Sequence, residues 1–175
     1  MKIIDLSQQL YDNMPVYPGD PEVLIEEIHH LAREGWNLRS ISITTHSGTH
    51  VNVPYHMANQ GLKLDSYRIE DFIGETVIFD NEKDIVSNKG ILFRDIDVSK
   101  EIAEKIVKVK PKFVSLSSKR EFDIEIEKYL LENGIISFEN IENTDKLPKR
   151  FTFYGVPLSI KEGDGSPVRA FAMVV

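Results

Sequence analysis

The chain contains no cysteine. That excludes disulfides, thiolate zinc sites and a cysteine nucleophile, so any metal ion must be held by histidine, carboxylate or neutral oxygen ligands. No apolar run approaches the ~20 residues of a membrane span. The opening Met1-Lys2-Ile3-Ile4-Asp5 meets an acidic residue before a signal-peptide core could form. A cytoplasmic protein is the expectation. Basic residues are also scarce relative to acidic ones, 21 Lys and Arg against 28 Asp and Glu, and they form no block. The net charge of −7 repels phosphate backbones, so nucleic acid is not an expected partner, and with no long apolar run neither is a membrane.

What is present is enough apolar material for a sizeable core, 41% of 175 residues, with no repeat, low-complexity segment or linker. The expectation is one domain spanning residues 1–175. Lys2-Ile3-Ile4-Asp5-Leu6-Ser7 reads as a strand, Tyr17-Pro18-Gly19-Asp20-Pro21 as a turn, and Glu22 to His29 as a further strand. Leu38-Arg39-Ser40-Ile41-Ser42-Ile43-Thr44 alternates as a half-buried strand does. Strands are also expected at Glu75–Asp80, Lys112–Leu116 and Ile135–Glu139, with helices behind the N-caps Ser99 and Asp123. The tail carries two β-rich runs around the turn Gly163-Asp164-Gly165-Ser166-Pro167. The pattern is α/β with strands outnumbering helices.

Three of the five histidines fall in Thr45-His46-Ser47-Gly48-Thr49-His50-Val51-Asn52-Val53-Pro54-Tyr55-His56. In an extended chain residues four apart lie ~13 Å from each other, whereas two ligands of one ion place their nitrogens within about 3–4 Å. The chain must therefore fold back at Ser47-Gly48, with Gly48 at the tight point, because this composition makes a poor helix. Such a loop offers His46 and His50 to a divalent ion, with His56 free to shuttle protons. Spacing alone leaves open that these are separate surface or core histidines.

The segment resembles the signature of the cyclase family, whose members include bacterial kynurenine formamidases: His-x-Gly-Thr-His-x-Asp-x-Pro-x-His. His46, Gly48, Thr49, His50, Pro54 and His56 match it. So do Tyr17-Pro18-Gly19-Asp20, Leu130-Leu131-Glu132-Asn133-Gly134-Ile135, Glu139-Asn140, Pro157-Leu158 and Asp164-Gly165-Ser166-Pro167-Val168-Arg169-Ala170. The resemblance implies a single compact α/β domain, a mixed β-sheet closing toward a barrel with helices packed outside, assembled as a homodimer or higher homo-oligomer. It implies a metal-dependent hydrolase of a small amide, lactam or related carbonyl compound. By the resemblance His46, His50 and Glu139 are metal ligands, His56 is the catalytic acid/base, and Tyr17 lines the substrate pocket.

Two positions depart from the pattern. Asn52 stands where the family has a bridging Asp, and Glu127 stands where it has a later histidine ligand. A neutral amide bridges two cations poorly, so one zinc or manganese ion is expected more than two. Glu127 reads either as a ligand that restores the lost charge or as an acidic residue favoured at a helix start. The middle of the chain is short and lacks the family's Thr-Gly-Trp stretch, so the substrate does not carry over. The alternative function is a catalytically inactive member that binds a small molecule or serves as a structural oligomer.

Overall fold

The computed structural model of the protein describes residues 1–174. Its strands are β1 (Lys2–Asp5), β2 (Leu24–His29), β3 (Leu38–Ser42), β4 (His50–Asn52), β5 (Ile73–Ile78), β6 (Gly90–Phe93), β7 (Phe113–Ser117), β8 (Ser137–Ile141), β9 (Arg150–Tyr154), β10 (Gly165–Pro167) and β11 (Phe171–Val174). The helices are α1 (Leu31–Glu34), α2 (Lys100–Val109) and α3 (Ile124–Glu132). Both expected caps form: Ser99 accepts from the Ile102 amide, and Asp123 accepts from Glu125 and Ile126.

Among the described residues nine strands join in the order β1-β11-β9-β5-β6-β7-β8-β4-β10. The β5-β6-β7-β8 run is parallel and the remaining pairs are antiparallel. Connectivity forces this sheet to curl. In a flat sheet β11 and β10 would lie seven strand spacings apart, about 34 Å. Only Val168, Arg169 and Ala170 join them, a link that spans at most about 15 Å. The ends must come round toward each other, so the mixed sheet closes toward a barrel as expected.

Curling separates two cores. Inside lie Val51, Phe72, Phe113, Phe138 and Phe153. Outside, Ile91, Phe93, Val114 and Leu116 pack against Ala103 and Ile106 of α2 and Leu130 of α3. One expectation is corrected: β3 is not half-buried. All five of its residues are exposed, because β2 and β3 form a separate two-stranded sheet that nothing among the described residues covers. No helix among the described residues is long and apolar enough to cross a membrane.

Candidate metal centre

The site grows from the register of β4 and β8. His50 lies opposite Glu139, Val51 opposite Phe138, and Asn52 opposite Ser137. Side chains of a strand alternate between faces, so His50, Asn52, Ser137 and Glu139 share one face while Val51 and Phe138 enter the inner core. α3 packs over the polar face and delivers Glu127, only 6% exposed. His50 and Asn52 thus lie on a strand, where a continuous loop was expected.

Two glycines permit the close approaches. Gly48 adopts φ +64°, the left-handed turn that folds His46 back toward His50. Gly165 pairs with Asn52 on β10, and a Cβ there would stand 2.8 Å from His46 Cε1. The bare backbone leaves room for the imidazole. Its ring lies 5.3 Å from that of His50 and 4.0 Å from that of His56, centroid to centroid.

Asn52 sits at the middle of the polar cluster. Its Nδ2 donates to Glu127 Oε1 and Glu139 Oε1, each at 2.7 Å, and its Oδ1 lies 2.7 Å from His46 Nδ1. Carboxylates accept, so the amide nitrogen faces them and the oxygen faces the ring; His46 Nδ1 therefore carries the proton. Ser137 Oγ also donates to Glu127 Oε1, at 2.8 Å. His50 donates from Nδ1 to the Gly48 carbonyl at 2.8 Å and turns Nε2 toward Glu139 Oε1, 3.5 Å away.

Asp164, in the turn before β10, closes the outer side. Its Oδ1 accepts from Thr45 Oγ1 at 3.0 Å, and its Oδ2 lies 2.8 Å from His46 Nε2 and 3.5 Å from His56 Nδ1. His46, His56 and Asp164 each offer a ligand atom within 4.8 Å of the others. With the proton on Nδ1, a neutral His46 would aim a lone pair at the Asp164 oxygen. That contact requires a positive charge between them, a proton or a metal ion. Two imidazoles and a carboxylate suit a divalent metal ion.

Electrostatics divide the cluster. Burial, reinforced by the charge of Glu139, pushes Glu127 up to about 7. Burial is the largest influence on His50 and Glu139 and opposes both charges, but their mutual contact and attraction, together with the Gly48 carbonyl on His50 and Asn52 on Glu139, outweigh it, raising His50 and lowering Glu139. Burial opposes the Asp164 charge as well, yet His46 holds its carboxyl down to about 2. His56 is lowered by burial and by its neighbour His46.

The structure therefore brings His46, His50, Asn52, His56, Glu127 and Glu139 together. It does not tie Tyr17 to them: that residue is 64% exposed and makes no side-chain hydrogen bond among the described residues. Asp164 is the residue that sequence reasoning missed. Its signal was the closing Asp-Gly-Ser-Pro run, which reads locally as a turn.

The Cyclase family model matches residues 4–145. The chain belongs to the cyclase family. Among curated cyclase-family relatives, the kynurenine formamidase of Salinibacter ruber is 26% identical over 204 residues, covering 97% of this chain and 96% of that protein. The kynurenine formamidase of Bacillus anthracis is 25% identical over 203 residues, covering 97% and 96%. Solved folds agree. An isatin hydrolase bound to the product analogue thioisatinate superposes with a TM-score of 0.83 at 18% identity, covering 99% of this chain and 92% of that one. A potential metal-dependent hydrolase with cyclase activity gives 0.78 at 21% identity, covering 98% and 96%.

Proposed function

We propose that this cyclase-family chain is a metal-dependent hydrolase of a small amide, lactam or related carbonyl compound. The observation that carries the reading is the convergence of His46, His56 and Asp164, each with a ligand atom within 4.8 Å of the others, with a proton or a metal ion required between His46 Nε2 and Asp164. The names of the relatives, kynurenine formamidase and isatin hydrolase, point to an aryl formamide or a fused lactam as the substrate class. A bound divalent ion would polarise such a carbonyl and lower the pKa of its water to about 7.

The chain's own groups then have separable tasks. The donors already converged are His46, His56 and Asp164. The Asn52 oxygen holds the His46 ring so that Nε2 faces Asp164, as an outer hydrogen bond orients a ligand. Burial favours a second arrangement, with His46, His50 and Glu139 holding the ion at depth. There His56, 27% exposed in its side chain, is oriented by Asp164 and moves protons at the mouth.

Metal affinity in two variants separates these arrangements. His56→Ala is expected to weaken zinc binding more than about 100-fold if the outer donors hold the ion, exceeding the loss from an outer-shell change. His50→Ala has that effect if the inner donors do. The function itself is tested by assaying aryl formamides and fused lactams with chelator-stripped protein, before and after adding Zn²⁺ or Mn²⁺. Turnover only after metal addition supports the reading; turnover unaffected by stripping, or none with either metal across the panel, overturns it.

We further propose that the protein is a homodimer joined through the β2–β3 sheet. Isolated two-stranded sheets are marginal in water. This one leaves Leu24, Ile28, Trp36, Leu38 and Ile41 between 42% and 59% exposed. Leu24 and Leu38 lie on one face of this sheet and Ile41 on the other, so a second copy would cover them by wrapping the sheet. Glu27 on β2 and Arg39 on β3 lie 3.7 Å apart on one face and present both signs beside Ile41. Light scattering should give a dimer for the wild type and a folded monomer for Leu38→Glu with Ile41→Glu. A monomeric wild type would contradict the assignment.

A further inference from the structure

We propose that Asn52 is a positioning residue whose amide clamps Glu127 to Glu139 in the place of a second cation, so the chain has one ion site where three acidic side chains would make two. This rests on the proposed hydrolase only for the first ion. Two carboxylates brought together at depth repel each other unless something positive or donating lies between them. In many sites a metal ion does this. Here the donor belongs to the chain: both Nδ2 hydrogens are used, one to Glu127 and one to Glu139, at 2.7 Å each.

The clamp is locked on every side. Asn52 is 1% exposed, and its backbone is held between β8 and β10. Turning the amide to offer its oxygen to a cation would break both carboxylate bonds and face the NH₂ against His46 Nδ1–H, donor against donor. Ser137 Oγ–H holds Glu127 Oε1 in the same orientation. A cation approaching this pair meets two N–H dipoles with their positive ends toward the carboxylates, while the Asn52 oxygen faces the His46 ring. The same amide that excludes the second ion also fixes the His46 tautomer, linking the clamp to the first site.

The full-length protein tests this directly. Wild type, Asn52→Asp and the charge-conserving pair Asn52→Asp with Glu127→His are stripped with chelator, saturated with Mn²⁺ and weighed by native mass spectrometry. A gain of one ion per chain in either variant over wild type supports the clamp. One ion rising to two leaves both the clamp and the hydrolase standing; none rising to one keeps the clamp and removes the hydrolase. Two ions on the wild type, or no gain in any variant that folds, overturns the clamp. Asn52→Asp should also melt several degrees lower than wild type in chelator and recover with Mn²⁺.

A second measurement covers the case in which neither variant folds. In wild-type protein without metal, the Asn52 side-chain NH₂ signals should exchange slowly with solvent, and they should persist as Zn²⁺ is added past one equivalent. Fast exchange, or loss of protection with a second equivalent, overturns the proposal.

Discussion

His46→Ala is expected to abolish metal-dependent turnover while leaving the fold intact. His46 is the side chain common to every arrangement of the site: it meets Asn52 through Nδ1 and Asp164 through Nε2, and its ring meets His50 edge to face and lies tilted against His56. Losing the ion removes several kcal/mol of transition-state stabilisation, which corresponds to a rate loss of about 10²–10³-fold or more. Stability should move little, since no apolar core is touched. The control is His30→Ala, whose ring pairs with Glu27 on the exposed hairpin. Steady-state rates of metal-loaded His46→Ala, His30→Ala and wild type decide the matter, and wild-type rates in His46→Ala would remove this residue from the site.

The second large effect is on stability. Phe138 is fully buried, with its ring centroid 4.9 Å from Phe153, 5.3 Å from Phe113 and 6.5 Å from Phe72. Truncating a buried Phe to Ala costs about 3–5 kcal/mol, because the surrounding shell closes only partly over the cavity. At about 2–4 °C per kcal/mol for a chain of this size, Phe138→Ala should melt roughly 10 °C lower. The site is expected to suffer as well, since Phe138 lies between Ser137 and Glu139 on β8 and opposite Val51 on β4. Phe138→Leu should recover more than half of the loss. Urea and thermal midpoints measured without metal separate this from any stabilisation by a bound ion. A shift below about 2 °C would show that the inner core does not depend on this ring.

Local patterns made part of this architecture legible in the sequence. Ser99 and Asp123 announced α2 and α3 because a side-chain oxygen beside a free amide is a local event. β7 and β8 were visible as apolar runs around a helix. β6 was not: Gly90–Phe93 is short and wholly buried, so it shows no alternation. β3 misled for the opposite reason. Its alternation is real, but pairing with β2 away from the main sheet leaves both faces in water. Sheet order depends on contacts distant in sequence, and nothing in Val168–Ala170 alone shows that this link draws the ends of a sheet together.

The same division holds in the site. His46, Gly48 and His50 were readable because a metal site needs a fold-back and glycine permits it. Glu127 had two readings from sequence, and its hydrogen bonds to Asn52 and Ser137 are what place it in the cluster. Asp164 lies 118 residues from His46, beyond the reach of any spacing argument. Asn52 was legible as a departure but not as a solution. Only the register of β4 against β8, with α3 above it, shows that one amide answers two carboxylates and a ring.

The most direct test is anomalous diffraction at the zinc edge from crystals grown with Zn²⁺. The account predicts one strong peak per chain, about 2.0–2.1 Å from a ring nitrogen of His46. Density at His46 with no peak, or a peak bound only by residues outside the cluster, would contradict it.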